Sequence, residues 1–110
     1  MKRYDPPSIA AAAVAANPTR PAMTLAHDHA DGRLVVFRIE PGQQVPTHTN
    51  ASSVFLTVAE GSGYVSDGVV EHAVSPGTIL AFAPGEPHGM RADAERLVIA
   101  ALITPRPGSR

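Results

Sequence analysis

From Pro21 onward, every apolar run is cut off at strand length by a turn signal. The interruptions are Asp31-Gly32, Pro41-Gly42, Glu60-Gly61-Ser62-Gly63, Asp67-Gly68, Ser75-Pro76-Gly77 and Pro84-Gly85. Glycine reaches the backbone angles that tight turns need, proline fixes one of them, and neither continues a ladder well, so the runs between them read as short antiparallel strands. The expected strands are Ala22 to His27, Arg33 to Ile39, Val54 to Ala59, Tyr64 to Ser66, Val69 to Val74, Thr78 to Phe82 and Arg96 to Thr104. This is the pattern of an all-β domain. The last run, RLVIAALIT, is apolar almost throughout, which predicts burial on both faces.

Only one stretch favours a helix. After Ser8, a good N-cap, IAAAAVAA runs to Ala16 and Asn17-Pro18 stops it. A helix this short and poor in bulk needs support, either across an open end of a barrel or against a partner subunit. The chain thus divides into an N-terminal segment, residues 1–20, a barrel, residues 21–104, and a flexible tail, residues 105–110.

The stretch Pro41 to Gly63, PGQQVPTHTNASSVFLTVAEGSG, concentrates the chemistry. Strand alternation places His48, Asn50, Ser52, Val54, Leu56 and Val58 on one side, so potential ligands share a face with core residues. The sequence Gly77 to His88, GTILAFAPGEPH, repeats the order of glycine turn, apolar strand, Pro-Gly turn and histidine.

These two segments resemble the paired motifs of the cupin superfamily. The first motif appears as Gly42, five residues, His48-Thr49-Asn50, then Val54 and Gly61; the second as Gly77, Ala83-Pro84-Gly85, His88 and Ala92. The resemblance spans roughly residues 21–104 and implies a small cupin-type double-stranded β-helix, or jelly-roll, barrel that pairs into a homodimer. The family's usual metal ligands are three histidines and a glutamate. His48 and His88 remain, Asn50 replaces a histidine, and Val54 stands at the glutamate position.

Composition narrows the functions. With 110 residues the chain has room for one barrel. Nine basic and ten acidic residues give a net charge of -1, with no basic face to neutralise phosphates, which sets nucleic acid aside. No apolar run approaches membrane-spanning length. There is no cysteine, so thiolate ligands and disulfides are excluded, and a reducing cytoplasm suits the chain. Lys2-Arg3 ahead of the alanine run imitates a signal peptide, but Asp5-Pro6-Pro7 breaks the pattern.

His48 and His88 each follow a Pro/Gly loop and open a strand, so both are expected at one mouth of the barrel. Imidazole is a good ligand for a divalent transition metal. Asn50 is the tentative third ligand, and also a hydrogen-bonding group for a small molecule. Ser52, Met90 and His72 complete the expected ligand-binding set, His72 through its phase with Val70 and Val74. His27 and His29 flank the first hairpin and read as turn residues. Two functions follow: a barrel binding a small organic ligand, with or without a divalent metal, and a metal-dependent isomerase or oxidoreductase acting on a small oxygenated substrate.

Overall fold

The computed structural model describes residues 1–108; Ser109 and Arg110 lie outside the described residues, and with them part of the expected 105–110 tail. One helix, α1 (Pro6–Ala12), precedes nine strands: β1 (Ala22–His29), β2 (Gly32–Ile39), β3 (Gln44–His48), β4 (Ser53–Glu60), β5 (Gly63–Ser66), β6 (Glu71–Val74), β7 (Ile79–Phe82), β8 (His88–Ala92) and β9 (Leu97–Thr104). They form two antiparallel sheets, ordered β1-β2-β9-β4-β7 and β3-β8-β5-β6.

The core lies between the sheets. Ile39, Val54, Leu56, Val58, Phe82, Leu97 and Ile99 from the larger sheet meet Val65, Val74, Met90 and Ala92 from the smaller one. Along β4 the expected alternation holds, with Val54, Leu56 and Val58 buried and Phe55 exposed. The strand thus buries one face against its partner sheet. At Gly61, φ is +77° and a Cβ would sit 1.6 Å from the Arg96 carbonyl oxygen. Only glycine fits where β4 turns into β5.

The helix begins and ends earlier than its sequence predicts. Asp5, not Ser8, is the N-cap position, and Pro6 and Pro7 fill the first turn. Proline's fixed φ suits that turn, where an amide hydrogen has no intrahelical partner. The far end is set by Arg38, whose Nη1 donates to the Ala10 and Ala13 carbonyls, both at 2.8 Å. That guanidinium satisfies carbonyls a longer helix would have used itself. The helix does not lie across a barrel mouth: Ala10 packs on Val36 and Val98, on the outer face of the larger sheet.

Strand boundaries and burial also differ in places. The first hairpin closes on Ala30-Asp31, with His29 opposite Gly32, so His27 and His29 belong to β1 rather than to its turn. Val69 and Val70 are exposed outside β6, because Asp67 Oδ1 accepts both of their amide hydrogens (2.9 and 2.8 Å) and holds them in the turn. In β9, Leu97 to Ile99 are buried while Leu102 is exposed. Burial on both faces stops where α1 stops covering the sheet.

Candidate functional site

Simple alternation from Val45 would turn His48 away from the core. The chain inserts one extra residue instead: Val45 pairs with Met90 and His48 with His88, three steps on β3 against two on β8. This β-bulge restores His48 to the face of Val45. It is housed by two local features. Pro46 lies on β3, an edge strand where a missing donor costs no ladder bond. Gly89 allows close approach, since a Cβ there would meet Thr47 Oγ1 at 2.8 Å.

The bulge sets His48 directly across from His88, with ring centroids 4.4 Å apart and planes at 60°. Each ring is fixed by its own backbone. His48 Nδ1–H donates to the Pro46 carbonyl (2.9 Å) and His88 Nδ1–H to the Glu86 carbonyl (3.1 Å). A carbonyl can only accept, so both neutral rings carry the proton on Nδ1 and present an Nε2 lone pair. His88 is buried, 3% exposed, and leans on Phe82 at 5.1 Å; His48 is exposed. Burial holds the His88 pKa below its ordinary value, the Glu86 carbonyl works against that, and the neighbouring His48 charge adds to the lowering.

The other expected site residues go elsewhere. Asn50 Oδ1 accepts the Ser52 amide hydrogen (2.9 Å), and its carbonyl accepts that of Gly85 (2.8 Å). It thereby joins the two motif loops. Ser52 is buried, and its hydroxyl donates to the Pro105 carbonyl at 2.7 Å. The bends at Ala51 and Ser52 interrupt the strand phase between His48 and β4. Met90 is core filler opposite Val45 and Val65. His72 is exposed on β6, where its Nε2–H donates to Asp67 Oδ2 (2.9 Å) in a cleft between β6 and β7.

Val54, at the place of the family's glutamate, is 2% exposed and lies across from Phe82. The side of the histidine pair that would carry a charged oxygen is therefore an apolar wall. Among the described residues no group of three or more His, Asp or Glu side chains could hold a metal ion. The pair offers two nitrogen donors, and any further ligands would have to come from outside the protein. The residues do not fit a centre with three protein ligands.

Sequence reading missed a second histidine pair. His27 and His29 stack at 4.7 Å and 23° on β1, and the Tyr4 hydroxyl meets His27 Nδ1 at 3.0 Å. Their i, i+2 spacing was the available signal, outweighed by the neighbouring aspartates.

Two facing antiparallel sheets, with a histidine from each motif meeting at one end, define a double-stranded β-helix barrel of the cupin class. The cupin domain model matches residues 35–103, and the chain belongs to that family. Against curated protein sequences it has no match. An RmlC-like cupin from Desulfovibrio desulfuricans is similar at 27% identity and TM-score 0.79, covering 96% of this chain and 97% of that one. An uncharacterised Klebsiella pneumoniae protein with a double-stranded β-helix domain is 18% identical at TM-score 0.83, covering 96% and 91%. The fold extends to an enzyme, the DMSP lyase DddQ of Ruegeria pomeroyi, at 16% identity and TM-score 0.70, covering 77% and 47%. No helix among the described residues is long and apolar enough to cross a membrane.

Proposed function

We propose that this cupin binds a small oxygenated organic ligand at His48 and His88. The observation that carries the reading is the pair of Nδ1–H bonds to the Pro46 and Glu86 carbonyls, which fixes both rings with Nε2 free. A neutral imidazole offers a lone pair at that atom. It can accept from a hydroxyl or enol O–H, or coordinate a divalent transition ion to which ligand oxygens add. Asn50 braces the loops around the pair rather than supplying charge.

The same two nitrogens favour a second reading, a small metal-dependent enzyme of isomerase or oxidoreductase type. Such an ion would polarise a substrate oxygen. Ligand binding is the stronger reading, because Val54 stands where the family's metal-holding carboxylate would be. We also place the protein in the cytoplasm as a homodimer. Support comes from the absence of cysteine and from β1, an edge strand with Met23 and Leu25 exposed.

Protein purified without nickel affinity is to be assayed for metal. It is then titrated calorimetrically with zinc and with small hydroxy acids, in the presence and absence of zinc, beside His48→Ala and His88→Ala. Saturable binding lost in both variants supports the site. Binding that survives both, or that neither probe produces, overturns it.

A further inference from the structure

The two sheets are not hydrogen-bonded to each other along β6 and β7, which are edge strands. A cleft of about 390 Å³ opens between them, within the size range of small-molecule sites. Its floor is the core itself, including Val65, Val74 and Phe82. Its polar residues are Asp67, His72, Thr78 and Glu86.

His72 is paired with Asp67 at 2.9 Å, which leaves Glu86 as the carboxylate of the lining with no ion-pair partner among the described residues. Asp67 accepts the amide hydrogens of Val69 and Val70 on Oδ1 and the His72 Nε2–H on Oδ2. The His72 bond first, and then the two amides, keep this carboxyl well below the usual carboxylate range. Glu86 spends only Oε1, on the Ala83 amide (2.8 Å), and no ion pair to it occurs among the described residues. Among the described residues, no lysine or arginine lines the cleft. On the neighbouring face of β6, Arg91 is committed to Glu71 at 2.6 Å.

We propose that this cleft binds a small organic monocation, an ammonium group on an apolar body, with the cation at Asp67 and Glu86 and the body against Val74 and Phe82. The apolar floor supplies burial, and Glu86, a carboxylate with no ion-pair partner among the described residues, selects the sign of charge. The site is separate from the histidine pair, since neither His48 nor His88 lines it. Phe82 touches both, lining the cleft and leaning on His88.

Three probes with one ring and different charge test the proposal: benzylamine, benzyl alcohol and benzoate, titrated at pH 7.5 into ¹⁵N-labelled protein with amide shifts followed. Benzylammonium is expected to shift β6 and β7 amides saturably and to bind at least about tenfold tighter than benzoate. Binding should weaken in Glu86→Gln, vanish in Ala73→Phe, which fills the cleft from an exposed position, and persist in His48→Ala. The amide spectrum confirms that each variant is folded. Equal binding of benzoate, shifts confined to other strands, or no saturation at millimolar benzylamine overturns the proposal. Loss in His48→Ala as well would assign the ligand to the histidine pair and overturn a separate site.

Discussion

His48–His88 and His27–His29 are pairs of the same residue at nearly the same ring separation, 4.4 and 4.7 Å. They are built by different means. The first joins two strands through a bulge, and each ring is tied to a carbonyl of its own backbone two residues earlier. The second follows from i, i+2 spacing on one strand, where His27 meets the Tyr4 hydroxyl at Nδ1 and lies 3.8 Å from Asp31 Oδ1 at Nε2. Backbone tethers fix the tautomer and aim of both rings of the first pair, whereas a phenol, able to donate or accept, leaves that of His27 open. Proximity alone does not make a site; fixed orientation does.

The comparison is broken most forcefully at Val54. Val54→Glu should destabilise the protein by roughly 3 kcal/mol in urea unfolding, because a carboxylate is buried against Phe82 without a partner. Saturating zinc should recover much of that loss, since the glutamate completes a three-ligand site. Zinc that stabilises wild type and variant equally would mean the third donor is not at this corner.

His88→Ala should cost about 2 kcal/mol, since it empties a buried position beside Phe82, while His27→Ala should cost less than about 1 kcal/mol. Comparable losses in urea melts would erase the distinction between the pairs.

Acid gives a smaller effect. The folded pKa of His88 is lowered, so on acidification the unfolded chain takes up a proton before the folded one does. This contribution is present above the ordinary histidine value of about 6.5 and is lost as pH falls below it, by at most ~1.4 kcal/mol per pH unit. His88→Gln should flatten stability against pH below about pH 6.5 relative to wild type. An unchanged slope in His88→Gln would show that burial does not govern this ring.

The smallest effect is expected at Tyr4. Tyr4→Phe removes one partly buried hydrogen bond and should cost less than about 1 kcal/mol, with no change in ligand binding at His48.

Much of the fold was legible because turn residues and apolar runs are local signals. Asp31-Gly32, Pro84-Gly85 and the alternation of Val54, Leu56 and Val58 announced their strands. The site was half legible. Two Pro/Gly loops pointed to His48 and His88, but neither the bulge at Thr47 that sets His48 across from His88 nor the bends at Ala51-Ser52 that break the strand phase beyond His48 was legible. Those irregularities depend on contacts with Gly89, Gly85 and Pro105, which are remote in sequence. The helix end was misread for a similar reason: it is held by Arg38, and no pattern within residues 1–20 encodes that guanidinium.

Long-range ¹H–¹⁵N correlation spectra of histidine-labelled protein above pH 7.5 test the site's geometry most directly. Both His48 and His88 should carry their proton on Nδ1, with nuclear Overhauser contacts between the two rings. A proton on Nε2 of either ring, or no contact between them, would contradict the aimed pair on which the functional reading rests.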